Sequence, residues 1–119
     1  MDEVNNDRVN RIIKGLPISQ KNVKGEVLIV RPGKEIGEAR NKIIVIEEIH
    51  PKHIISIIDC LGVVAVFGGQ TSHTATVCRE LNKPCLVGVK RAFYELRNKD
   101  YIEIDSLNNQ IKIIKPNNG

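Results

Sequence analysis

The sequence predicts a mixed α/β domain, with strands gathered into mixed sheets and helices on one side. Three observations carry this reading. Isoleucine and valine supply most of the apolar residues while aromatics make up 3% of the chain, a composition that favours strands over a disordered chain. Apolar runs alternate with helix-like segments through the middle of the sequence. Hairpin-like strands lie toward the ends, which fits a mixed sheet better than a doubly wound one.

The elements follow in order. Residues 26–30 read as a strand closed by the turn signal Arg31-Pro32-Gly33. Residues 42–47 form a second strand, apolar enough to be buried on both faces. Pro51 suits a first helical position, and Ile54, Ile55 and Ile58 then share a helical face. Residues 62–67 make a central strand that runs into two glycines. A helix over 72–81 ends at Asn82-Lys83-Pro84, and 85–89 is another short strand. A brief helix over 91–97 precedes two alternating segments, 101–105 and 110–114, that read as a hairpin around an Asn-rich turn.

At 119 residues the chain makes one domain with a core that needs no staples. Residues 12–115 form the domain, and the polar segments 1–11 and 116–119 read as tails, either natural termini or linkers. The net charge of +4 is modest and its basic residues are scattered, with few aromatics for base stacking. Nucleic acid is therefore not an expected partner. No apolar run approaches the ~20 residues of a membrane helix, so no membrane partner is expected either. Three cysteines, an odd number, in a chain without a secretory signal point to free thiols and a cytoplasmic setting.

Chemistry concentrates in Gly68-Gly69-Gln70-Thr71-Ser72-His73, where the central strand meets the following helix. Paired glycines let the backbone turn tightly. The first turn of a helix offers unpaired N–H groups and partial positive charge to an anion. A histidine placed there is a candidate phosphoryl-accepting nucleophile, His73. Alone, such a histidine is more often structural or at the surface; the glycines before it and the Thr-Ser pair beside it change that balance. Thr71 and Ser72 suit a helix cap, and their hydroxyls would also be placed to donate to phosphate oxygens. Arg79, six residues beyond His73, reaches a phosphate only if its side chain folds back; an ion pair with a carboxylate competes with that role. Gly88 serves either a turn or a close backbone approach. His73, Cys78 and Cys85 lack the paired spacing of a zinc site, so no metal is assigned. His50 and His53 read as solvent-exposed, and Cys60 as a core thiol.

These residues resemble the phosphohistidine, or mobile swivelling, domain of phosphoenolpyruvate-utilising enzymes. That family includes phosphoenolpyruvate synthase, pyruvate phosphate dikinase and enzyme I of the sugar phosphotransferase system. The resemblance rests on Gly68 to Ala75, Arg79-Glu80-Leu81 and Pro84 through Gly88, with Lys14 to Ser19 and Tyr101 to Asp105 at the flanks. It implies a swivelling β/β/α sandwich whose histidine, matching His73, takes a phosphoryl group at one active site and delivers it at another. Gly68, Gly69, Thr71 and Ser72 would support the phosphate, and the residue matching Thr71 is a regulatory phosphorylation site in some members. The chain departs from the pattern at Cys78, usually alanine, at Lys83, usually apolar, and after Asp105, where a glycine is usual.

The chain has neither an ATP-grasp domain nor a phosphoenolpyruvate-binding barrel. The expected function is therefore a phosphoryl-carrying transferase component, incomplete by itself, that works with separate nucleotide-binding (ATP-grasp-like) and phosphoenolpyruvate-binding subunits. Mg2+ with ATP or phosphoenolpyruvate would bind those partners, and no cofactor this domain. The alternative is a docking or regulatory module of the same fold that is never phosphorylated.

Overall fold

Short β-branched runs set the centre of the fold. In the computed structural model, which describes residues 7–117, they build one eight-stranded mixed sheet. The strands are β1 (Ile12–Lys14), β2 (Leu16–Pro17), β3 (Val23–Val30), β4 (Lys42–Ile46), β5 (Gly62–Ala65), β6 (Cys85–Val87), β7 (Tyr101–Asp105) and β8 (Gln110–Lys115). Three short helices join them: α1 (Ile54–Asp59), α2 (His73–Glu80) and α3 (Ala92–Glu95).

The strand order is β1-β8-β7-β3-β4-β5-β6-β2. Strands β3 to β6 run parallel, and the apolar run of β4 is buried, as expected for a strand covered on both faces. The β7–β8 hairpin pairs antiparallel, and β7 pairs antiparallel with β3. Asn109 takes the left-handed conformation, φ 57°, at the hairpin turn. Asparagine tolerates that conformation better than other side-chain-bearing residues, which explains how the turn forms without the usual glycine.

The two outer strands are nearly one segment. β1 lies at one edge of the sheet and β2 at the other, yet only Gly15 separates them. The sheet must therefore curl until its two edge strands are brought together at Gly15. Gly15 sits at the seam, where a Cβ would lie 2.6 Å from Val89 Cγ2 and 3.0 Å from Leu86 Cδ2.

The curl creates two apolar clusters. Inside it, Ile13, Ile102, Ile104, Ile111 and Ile113 from the antiparallel half pack with Val27, Ile43, Val45, Val64 and Leu86 from the parallel half. Ala92 and Leu96, in and after α3, join this cluster. Outside it, α1 and α2 cover the parallel strands, burying Ile57, Val77 and Cys78 against Ile44, Ile46, Val63 and Val87. These two helices on one side of a β/β layer make the expected sandwich.

Some local expectations change. A 3-10 turn, Pro51–His53, precedes α1, and the helix buries Ile57 while leaving Ile55 and Ile58 exposed. The shared face expected for Ile54, Ile55 and Ile58 is thus corrected: the helix is rotated so that Ile54 and Ile57 turn inward. His53 is buried rather than solvent-exposed, because its Nδ1 accepts the His50 backbone N–H at 3.0 Å. Lys83 donates to the Ile58 and Cys60 carbonyls at 2.7 and 2.6 Å, capping the end of α1, a use for a cation where the family pattern has an apolar residue. Cys60 lies in the core, and burial pushes its thiol up to about 11.

Of the segments assigned to tails, residues 1–6 and 118–119 lie outside the described residues. Within residues 7–11, Arg8 pairs with the fully buried Asp100, and Asn10 donates to the Ile113 carbonyl at 2.7 Å.

Candidate functional site

The site begins where β5 ends. Beyond Ala65 the chain still follows β4, with Val66 and Phe67 donating to the Ile46 and Glu47 carbonyls at 3.0 Å each. It then turns at Gly68, φ +112°, a conformation that disfavours any side chain. A Cβ there would also lie 2.8 Å from Ser72 Oγ. Gly88, φ +67°, closes the turn from the other side, where a Cβ would sit 3.3 Å from the Gly68 carbonyl oxygen. Gly88 thus serves both roles left open by the sequence, the turn and the close approach.

Ser72 is the N-cap of α2. Its hydroxyl accepts the Ala75 N–H at 3.2 Å and donates to the Gly69 carbonyl at 2.8 Å. Its single proton is therefore spent on the loop, so it reaches a phosphate only by releasing Gly69. Thr71 is exposed, and its hydroxyl has no hydrogen-bond partner among the described residues. His73 follows as the first residue of α2, with its side chain exposed. The N–H groups of His73 and Thr74 find no acceptor among the described residues, the usual state of a helix start open to an anion.

Arg79 does fold back. Its guanidinium donates to the Gln70 carbonyl at 2.9 Å, along the helix toward the loop that leads into His73. It makes no ion pair among the described residues. The loop of Gly68, Gly69, Thr71 and Ser72, with His73 and the Arg79 guanidinium, thus forms one neighbourhood.

Two supports escaped the sequence reading. Thr74 is buried, and its Oγ1 accepts the Ile49 N–H at 2.9 Å, fixing the first turn of α2 to the segment after β4. Its only sequence signal was a hydroxyl on the inward side of the helix. The second is the pair of Cys78, on the buried face of α2, and Cys85, in β6, both fully buried. The hydrogen bond that the Cys85 thiol makes to Cys78, then burial, pushes the Cys85 thiol well above its usual range. These are inert core thiols in a reduced pair.

Among the described residues, no group of three or more His, Cys, Asp or Glu is placed to hold a metal ion. Among them, too, no helix is long and apolar enough to cross a membrane.

A curled mixed sheet, with α1 and α2 on its outer side and His73 at the start of α2, defines a mixed α/β domain of a single compact unit. Residues 38–109 match the family described as PEP-utilising enzyme, mobile domain, and the chain belongs to that family. It is 36% identical over 83 residues to a phosphoenolpyruvate-protein phosphotransferase of Buchnera aphidicola subsp. Baizongia pistaciae, across 67% of this chain and 14% of that protein. It is 34% identical over 95 residues to the phosphoenolpyruvate synthase of Pyrococcus furiosus, across 79% of this chain and 12% of that one. The chain therefore spans only a small fraction of the length of these relatives.

Among solved structures, it is similar to Enzyme I in solution, with a TM-score of 0.53 and 24% identity over 62% of this chain and 31% of that one. It is also similar to aconitase X of Thermococcus kodakaraensis, with a TM-score of 0.65 and 13% identity over 88% and 99% of the two chains. At such identities these two likenesses speak to the fold alone.

Proposed function

We propose that the domain carries a phosphoryl group on His73, taking it from one partner site and delivering it to another. The observation that carries this reading is the placement of His73: exposed, first in α2, behind a formed cap and beside two unengaged N–H groups. Family membership supports the same reaction class.

In the loading step, the lone pair of a neutral imidazole nitrogen attacks phosphorus. A P–N bond forms as the P–O bond to the leaving group breaks, and the departing oxygen keeps the electron pair. Delivery runs the same exchange toward an acceptor oxygen. Such in-line transfers depend on positioning and charge neutralisation, which helix N–H groups supply without side-chain motion. Gly68 and Gly69 keep the approach free of side chains, and Ser72 holds the helix start in place. Thr71, exposed beside the histidine, is the readier hydroxyl donor and the secondary site for regulatory phosphorylation. Arg79 adds positive charge and orders the loop through Gln70.

Nucleotide-binding and phosphoenolpyruvate-binding proteins or domains would supply donor and acceptor chemistry, with Mg2+ and ATP or phosphoenolpyruvate bound there. The reading places the protein in the cytoplasm, with no nucleic-acid or membrane partner.

The test is phosphate transfer with radiolabelled phosphoenolpyruvate and a phosphoenolpyruvate-binding partner. One acid-labile phosphate is expected on the native chain and none on His73→Gln. Label that persists in His73→Gln, or none on the native chain with an active partner, refutes the carrier role and leaves the docking module.

A further inference from the structure

Beyond the Thr74–Ile49 contact, the segment leaving β4 walls a second feature. A cavity of about 180 Å3 opens at the carboxyl ends of β3 and β4, lined by Arg31, Lys34, Glu47, Glu48, Lys52 and His53 among others. The ends of adjacent parallel strands are where α/β sheets bind ligands. None of these residues belongs to the loop around His73.

The cations are set by the backbone. Pro32 and Gly33, φ +78°, occupy the centre of a turn in which the Lys34 N–H donates to the Arg31 carbonyl at 3.1 Å. Proline followed by a glycine of that φ is a type II turn, which holds its first and last Cα atoms within ~7 Å. Arg31 and Lys34 are therefore anchored side by side. The Arg31 guanidinium rests 4.7 Å from the centroid of Phe93, outside the cavity lining, so Arg31 must swing off that ring to meet a ligand in the cavity. Lys52 joins them from the turn after Pro51. Two carboxylates share the lining, and Glu48 lies 3.9 Å from His50 Nε2. Among the lining residues three cations face two carboxylates, with Glu35 close enough to act on His53.

The inner wall carries a polar group with nothing to bond. His53 is 7% exposed, and its Nδ1 accepts the His50 N–H. In the neutral ring the proton then sits on Nε2, which has no acceptor among the described residues. Burial, followed by His50 and Lys52, lowers its pKa below the ordinary 6.5, against a smaller opposing effect of Glu35. A neutral N–H donor so deeply buried wants an acceptor.

We infer that this cavity binds a phosphate-type oxyanion, free phosphate or a phosphate monoester, between Arg31, Lys34 and Lys52 with the His53 Nε2–H as inner donor. Charge-assisted bonds from a guanidinium and two ammonium groups suit a multi-oxygen anion. The site is separate from His73 and stands whether or not that histidine is phosphorylated.

The experiment is an NMR titration of the full 15N-labelled chain with inorganic phosphate and with glycerol phosphate, against chloride at matched ionic strength. Saturable shifts are expected at the amides of residues 31–34 and 47–53 and at His53 Nε2. Tighter binding of the ester identifies a monoester site; tighter binding of inorganic phosphate identifies a free-phosphate site. Lys34→Gln and Lys52→Gln, both exposed and safe for folding, should each weaken binding roughly tenfold. His53→Asn should do the same where it folds, and His73→Gln should leave the affinity unchanged. Shifts that fail to saturate, that chloride reproduces, that survive both lysine changes, or that vanish in His73→Gln overturn the inference.

Discussion

The Thr74 hydroxyl oxygen accepts the Ile49 backbone N–H at 2.9 Å, a buried bond between residues 25 apart in sequence. It is how the start of α2 learns where β4 ends. Thr74→Val keeps the shape but leaves that N–H without a partner, a cost of about 1–3 kcal/mol. Thr74→Ser keeps the oxygen and should recover most of it. Urea unfolding of the pair measures the difference, and equal stabilities would remove Thr74 from the account of the site.

The two glycines before His73 should behave differently. Gly68→Ala meets Ser72 Oγ at 2.8 Å and holds φ +112°, so about 1–3 kcal/mol of strain is expected, with perturbed amides through Ser72 and Ala75. A Cβ at Gly69 meets nothing within 4 Å. Gly69→Ala should change stability by no more than about 0.5 kcal/mol. Thermal melts decide it, and a Gly69 variant as damaged as the Gly68 one would contradict the geometry.

Acidification should weaken the fold through His53. Its pKa is lowered on folding, so the unfolded chain binds the proton more tightly. Its contribution is present above 6.5 and is lost as pH falls through the lower folded value. Glu95, lowered first by its hydrogen bond from Arg11, adds a separate loss below 4.5. His53→Asn keeps an acceptor for His50 but does not titrate. Its urea midpoint should therefore fall less steeply than that of the native chain just below 6.5; identical profiles would count against the assignment.

Arg8 should matter far more than a residue near a chain end usually does. It forms a bidentate pair with Asp100, whose carboxylate also accepts the Arg97 and Asn117 N–H groups at 2.8 and 2.7 Å. Removing the guanidinium leaves a buried charge with those two donors among the described residues, and Arg8→Ala should cost about 3 kcal/mol. The double variant Arg8→Met with Asp100→Asn should lose less than the sum of the single changes. Additive losses in chemical denaturation would show that the pair does not act as a unit.

Legibility followed local chemistry. The capped start of α2 could be read because Ser72 and His73 stand at a change from an apolar run to helical spacing. The β7–β8 hairpin could be read because its apolar residues alternate on both sides of Asn108 and Asn109. The phase of α1 could not, since isoleucines at 54, 55, 57 and 58 supply two adjacent faces and the preceding 3-10 turn selects between them. β1 and β2 carry three and two residues, too few for a period to emerge. Burial of His53 depended on a bond from a backbone N–H three residues away, and the site beside it required strands distant in sequence to become neighbours.

The clasp at Asp100 has a mechanical side. Arg8 from one flank and Asn117 from the other meet the same carboxylate, so the described chain enters and leaves the fold at a single point. Such a unit can be spliced into a longer polypeptide through two adjacent linkers. Joined that way, the domain is held to its neighbours at one place rather than two.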